Sequence, residues 1–214
     1  PFVHGVSPEA RLENRARFFE LNKAKLVDVA QRHLGDFAAG GFHTAVAILA
    51  ALRARELTGI GQYIDLSITD GVVYMTAAMS SEYFSHGLIP GPGANRLNGG
   101  FPFATVYEAK DGRYLTIGCV EPWFYAELCR VLGREDLAPY QQDEGEKREE
   151  TFAFFREVFK TRTRDEWFDF FRDKEVCAGK VYAVDEMFQD PQLLHRKMLV
   201  MVEDGEGNTV PQVG

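Results

Sequence analysis

The chain has 214 residues, 45% of them apolar and 26% charged, and a formal net charge of −8. That length suits one domain or two small ones with a sizeable core, and the composition is that of a globular chain, not a disordered one. The acidic balance argues against broad binding of nucleic acid or anionic membranes, but leaves room for an anionic small molecule held by local Lys or Arg side chains.

Pro1 to His33 is charged and weakly patterned; Pro8–Lys25 carries helix-forming residues with an apolar patch at Phe18, Phe19 and Leu21. Asp36 then reads as the N-cap of a long helix reaching about Leu57, stopped by Thr58-Gly59 and Gly61. The Ala39-Gly40-Gly41 run would let another backbone or a ligand approach closely. Phe37–Leu52 is the stretch nearest to a membrane span, and it is interrupted by Gly40, Gly41, His43 and Thr44 and ended by Arg53 and Arg55. No span is therefore expected. Tyr63–Ile68 alternates as a strand does, and Asp70–His86 reads as one Met- and Ala-rich helix.

Composition shifts at Gly87–Gly100, where five Gly and two Pro mark a linker or a ligand-covering loop. The organisation expected is a first domain over 1–86, a linker over 87–100, a small α+β domain over 101–196, and a return segment over 197–214. Within the small domain, strands are predicted at Ala104–Ala109 and Tyr114–Cys119, joined by a Lys110-Asp111-Gly112 hairpin turn. A helix follows over Pro122–Leu132, with Pro122 at the favoured first helical position. Gln141–Glu150 reads as a solvated loop and helix start. Helices with aromatic inner faces are predicted at Thr151–Lys160 and Arg164–Phe171. A strand over Val176–Val184, a helix opening at Asp185–Phe188, a last strand over Leu199–Glu203 and a turn at Asp204–Gly207 complete the chain.

Cys119, Cys129 and Cys177 are odd in number and widely spaced, which suits neither a disulfide framework nor a zinc site. They read as small buried hydrophobes in a reducing cytoplasm. The sequence contains no GxxxxGK[ST], no GxGxxG after a strand, no HExxH and no GxSxG. Carboxylates and backbone amides are left to do much of any small-molecule chemistry. Glu121 stands where a strand pattern meets a helix start. Such an acid either complements the helix dipole or projects a carboxylate into a cleft.

Two long blocks carry a family resemblance. GDFAAGGFHTAVAILAALRARELTGIGQYIDLSITDG, Gly35 to Gly71, resembles the Asp, Gly-pair, Ala-rich helix and TGxGQ block of the class III CoA-transferase superfamily. GGFPFATVYEAKDGRYLTIGCVEPWFYAELCRVLG, Gly99 to Gly133, is similar to the α-methylacyl-CoA racemase branch, and the DEW…C…V…DEM…DP…R pattern of Glu166–Val200 is similar to the family tail.

The resemblance implies an α/β fold: part of a Rossmann-like, CoA-binding large domain plus a smaller α+β domain, in an interlocked homodimer. It implies a coenzyme A thioester as substrate, with no covalently bound cofactor. In the racemase branch, a proton leaves the α-carbon of a 2-methylacyl-CoA through an enolate and returns on the other face, which needs two tuned groups across a dry pocket. Asp36 falls on the family's acid/base position, and Glu121 on the glutamate that supports the opposite catalytic histidine. In the transferase branch the same aspartate is a nucleophile. A non-catalytic remnant or interaction domain is a third reading.

The family's Gly-His-Asp-x-Asn-Tyr segment has no counterpart in the sequence as given; neither His4 nor His33 matches it, and His43 reads as structural. A truncated product, one piece of a split protein, and a sequence with stretches closed up all remain open. Asn22, Lys23 and Lys25 lie in a stretch loosely similar to the family's Leu-Asn-x-x-Lys CoA-contacting loop, or form a solvated helix face, and Arg96 is a candidate partner for a CoA phosphate or a surface loop arginine. Phe101, Phe103, Trp123, Phe124 and Tyr125 are candidates for an acyl pocket or for ordinary small-domain core, and a mixture of the two is expected. Lys180 replaces the family's usual Pro, a change expected to loosen that turn.

Overall fold

A computed structural model describes residues 31–89, 91 and 93–214. The helix predicted over Pro8–Lys25, and with it Asn22, Lys23 and Lys25, lies outside the described residues. The chain is mixed α/β and forms two compact units that divide after Ile89.

In the first unit a π-helical segment, Gln31–Phe42, runs directly into α1, His43–Thr58. Asp36 is therefore not an N-cap: the helical turns already begin upstream of it, and it lies within the segment. Gly59 closes α1 at φ 73°, donating its N–H to Arg55 O at 2.8 Å, as expected of a left-handed glycine stop. Residues 34–58 form a continuous helix that passes for a membrane span by length and composition only. The residues expected to interrupt it, Gly40, Gly41, His43 and Thr44, are accommodated in the helix. Length and composition alone do not separate a membrane span from the buried core helix of a larger domain.

The strand expected over Tyr63–Ile68 does not form; α2, Ile68–Met75, begins at its last residue. A strand needs a neighbour to satisfy its ladder groups, and the described residues of the first unit contain no strand. Ser67 caps α2, its Oγ accepting the Asp70 N–H at 3.2 Å, so the helix starts earlier than Asp70 suggested. Thr76, at φ −86° and ψ 7°, separates α2 from α3, Ala77–His86, where one helix was expected. Glycines set the approach of α2 to the π-helical segment. A Cβ added at Gly71 would lie 2.8 Å from Ala39 Cβ, and one at Gly40 would lie 3.2 Å from Ile68 Cγ1. The close approach foreseen at Ala39-Gly40-Gly41 is thus taken up by the chain's own α2.

The second unit is built on an antiparallel sheet in the order β1-β2-β3, with β1 Ala104–Glu108, β2 Tyr114–Gly118 and β3 Ala178–Lys180. Ala104 pairs with Gly118, Glu108 with Tyr114, and Leu115 with Lys180. The β1–β2 turn holds Gly112 at φ 68°, and Ala109 N–H bonds Arg113 O at 2.8 Å, which is the conformation an Asp-Gly turn favours. One face of the sheet buries Tyr107, Leu115 and Ile117 against α4 Pro122–Val131, α5 Glu146–Phe159 and α6 Arg164–Phe171. Aromatic edges fill this core: Tyr107 lies 4.9 Å from Phe159, and Phe159 lies 5.2 Å from Trp167, between ring centroids. The Trp167 indole N–H is satisfied by Phe159 O at 2.8 Å. Thr163 and Glu166 close a capping box that starts α6 at the residue expected.

Three short elements were not predicted: a 3₁₀ turn at Glu135–Tyr140, α8 at Pro191–His195 following α7 at Val184–Met187, and β5 at Thr209–Val213. β5 pairs with β4, Leu199–Glu203, across the predicted Asp204–Gly207 turn. The strand expected over Val176–Val184 is limited to β3 and then gives way to α7. Lys180 ends β3, and its Nζ lies 2.9 Å from Asp165 Oδ1. It joins a cluster in which the buried Arg164 guanidinium holds Glu186 at 2.8 and 3.0 Å and the Val181 carbonyl at 2.8 Å. Arg113 adds a contact to Glu186 at 2.8 Å. Hydrogen bonds from Arg164, helped by the Ala183 N–H and Arg113, hold the Glu186 carboxyl down at about 2.

Candidate active site

β2 ends at Gly118, and α4 begins at Pro122, leaving Cys119, Val120 and Glu121 as the crossing. Glu121 is the N-cap of α4 in extended geometry, φ −73° and ψ 139°, with Pro122 at N1. Its main-chain carbonyl accepts the Tyr125 N–H at 3.1 Å, but its side chain makes no capping bond. A carboxylate serving only as a cap would fold back onto the first-turn amides. The Glu121 side chain does not, and among the described residues no hydrogen bond or ion pair engages it. It is half-buried. In the first turn of α4, Tyr125 is buried and packs edge-on against the buried Phe103, with ring centroids 6.1 Å apart.

The charge of Glu121 acts on two thiols. Burial pushes the Cys119 thiol up to about 12, and the Glu121 carboxylate adds to that shift. Burial and then Glu121 also raise Cys177. Burial again pushes Cys129 up, to about 11. Cys119 and Cys129 are fully buried and Cys177 half-buried, so the first two have the small-hydrophobe environment read from the sequence.

Asp36 belongs to the first unit and Glu121 to the second. Asp36 is exposed on the π-helical segment, beside the buried Gly35, and no hydrogen bond or ion pair engages its carboxylate among the described residues. π-Helical geometry within a helix is frequent at functional sites. His43 is tied to its own helix, with Nδ1 3.0 Å from Ala39 O, and is edge-on to Tyr74 at 6.2 Å. Arg96 is exposed, with its guanidinium carbon 5.6 Å from the centre of the Phe103 ring; Phe103 in turn stacks on Phe101 at 5.3 Å. It has no carboxylate partner among the described residues.

The aromatic set divides. Phe103 and Tyr125 are core, Phe101 and Phe124 are half-buried, and Trp123 is 61% exposed. The groove nearest this junction, about 320 Å³, is instead lined by Leu97, Val106, Thr116 and Val120 along the outer face of the sheet. Gln141, which the sequence reading placed in a solvated loop, is a buried side chain whose amide reaches this same junction. Its signal was weak, because a lone glutamine in a polar stretch carries no periodicity. Among the described residues no group of three His, Cys, Asp or Glu side chains is placed to hold a metal.

The sequence matches the profile of CoA-transferase family III over residues 28–214, and the chain belongs to that family. It is 32% identical to the human alpha-methylacyl-CoA racemase over 182 residues, which is 83% of this chain and 47% of that protein. It is 29% identical to the cinnamoyl-CoA:phenyllactate CoA-transferase of Clostridium sporogenes, over 82% of this chain and 44% of that one. Among solved structures it is similar to a CAIB/BAIF family protein from Brucella suis, with TM-score 0.58 and 27% identity, covering 82% of this chain and 46% of that one. The chain thus spans just under half the length of the curated relatives it matches. Those relatives include both racemases and CoA-transferases, and the mixed α/β fold is that of the family.

Proposed function

We propose that the protein of which this chain is part acts on a 2-methylacyl-CoA thioester and moves the α-proton in the manner of an α-methylacyl-CoA racemase. The observation that carries the reading is the Glu121 carboxylate, held half-buried at a Pro-locked strand–helix junction and unspent on capping. A carboxylate so placed is available to orient an imidazole and raise its basicity. The racemase names among the relatives support it.

In this reading the thioester acidifies the α-carbon, and Asp36 exchanges the proton on one face of the enolate. Glu121 supports the base on the other face. Arg96 pairs with a phosphate of the coenzyme, and Asn22, Lys23 and Lys25 are coenzyme-contacting residues by resemblance to the family. The coenzyme arrives as part of the substrate. The protein works in the cytoplasm as a homodimer. Incubation of the full-length protein with a 2-methylacyl-CoA in deuterated water should place deuterium at the α-carbon, and an α-carbon that stays unlabelled would overturn the proposal.

The transferase reading has its own support in the exposed, unengaged Asp36 carboxylate and in the transferases among the relatives. Asp36 would then attack an acyl-CoA thioester carbonyl, expelling the CoA thiolate and leaving an aspartyl anhydride. Hydroxylamine added with acyl-CoA should convert Asp36 to a hydroxamate, visible by mass. An unmodified Asp36 would count against it.

A further inference from the structure

Strand β2 stops one residue before Cys119, and α4 starts one residue after Glu121. The carbonyls of Cys119 and Val120 therefore belong to neither element's ladder. Cys119 is buried and Val120 half-buried; carbonyls withdrawn from water need donors, and here one side chain supplies both. The Gln141 amide nitrogen donates to Val120 O at 2.9 Å and to Cys119 O at 3.2 Å. A primary amide carries two N–H bonds, so the fork uses its full donor capacity.

Gln141 is held to this task. It is 7% exposed and follows directly on the 3₁₀ turn Glu135–Tyr140, which the fully buried Leu137 anchors against α4. Arg134 N–H bonds Cys129 O at 2.9 Å and ties the entry of that turn to the same helix. The two carbonyls it grips are those immediately preceding Glu121. Fixing them fixes the direction in which the Glu121 Cα–Cβ bond leaves the chain, since Pro122 restricts the other side.

We propose that Gln141 is a positioning residue for Glu121: it aims the carboxylate by clamping the two peptide carbonyls that precede it. This rests on the reading of Glu121 as a functional carboxylate.

The test is a double-mutant cycle in the full-length protein with Gln141→Met, Glu121→Gln and both. Gln141→Met keeps volume and removes both donors. α-Deuterium exchange is followed by mass spectrometry, with thermal melting alongside. Gln141→Met should lower kcat on the order of tenfold, as a small misplacement does, with KM within about twofold. In the Glu121→Gln background the same change should cost nothing further. An equal loss in both backgrounds would overturn the positioning role and leave Glu121's own role standing. A Glu121→Gln enzyme with the wild-type rate would instead sink the reading of Glu121.

The half-buried Cys177 provides a readout independent of turnover. Its alkylation-rate titration should move to lower pH in Glu121→Gln, and in Gln141→Met by a part of that shift. A Cys177 titration unchanged in Gln141→Met but moved in Glu121→Gln would contradict the proposal. Should Gln141→Met fail to fold, Gln141→Asn, which stays neutral and shortens the reach so that the fork is lost, carries the same measurements.

Discussion

The two units handle apolar side chains in opposite ways. In the second, sheet and helices close on Tyr107, Leu115, Tyr125, Phe155, Phe159 and Trp167, each 3% exposed or less. In the first, among residues 34–89 only Gly35 and Ala39 are buried, while Phe37, Leu49 and Tyr74 are each more than 60% exposed. A helical stretch apolar on all sides is built to be surrounded, and Ala45–Leu52 of α1 is such a stretch. The contrast matches the comparison of lengths: this chain spans just under half of its curated relatives. The second unit carries its own core, whereas the first presents helices whose partners are not among the described residues.

Substitutions can break or sharpen that contrast. Phe155→Ala should destabilise the second unit by about 3–5 kcal/mol, measured by denaturant unfolding, whereas Leu49→Ala on α1 should change stability by less than about 0.5 kcal/mol. An equal cost at both sites would remove the distinction. Glu186→Gln should cost about 1.5–3 kcal/mol by stripping the charged acceptor from Arg164. The corresponding pH dependence has a defined sign. The Glu186 carboxyl is held at about 2 against an ordinary 4.5, so its contribution is complete above about 4.5 and is lost as pH falls toward 2. Acid unfolding curves of Glu186→Gln should therefore be flatter over that window.

Gly71→Ala should cost about 1–3 kcal/mol through overpacking, because the new methyl would meet Ala39 Cβ at 2.8 Å and Ala39 O at 2.9 Å. Hydrogen exchange should show the loosening in α2 and the π-helical segment while the amides of α5 keep their protection. The smallest change, about 1 kcal/mol, is expected of Thr163→Ala, which removes the N-cap of α6.

What was legible in the sequence follows the same division. Local chemistry specifies the β1–β2 turn through Asp111-Gly112, the start of α4 through Pro122, and the start of α6 through Thr163 and Glu166, and these stand where the pattern put them. Features that depend on distant partners were not legible. The alternation of Tyr63–Ile68 is a strand signal with no strand to pair with among the described residues. β5 contains Pro211, which lowers any strand reading, yet Pro is tolerated in a two-stranded ribbon where Met201 faces it.

At the candidate site, Glu121 announced itself by its position before Pro122. Its partner Gln141 did not, since a reach back across the fold to the Val120 carbonyl leaves no local trace. The buried Arg164 was likewise placed only by the structure, through contacts to Val181 and Glu186 far along the chain.

The central claim is that the Glu121 junction and Asp36 serve proton transfer at an acyl-CoA α-carbon. The most direct measurement is α-deuterium incorporation into a 2-methylacyl-CoA by the full-length protein, compared with Glu121→Gln and Asp36→Asn. Incorporation by the unaltered protein, with each variant slower by about 10²-fold or more, is the predicted result. No incorporation, or an unchanged rate in both variants, would contradict it.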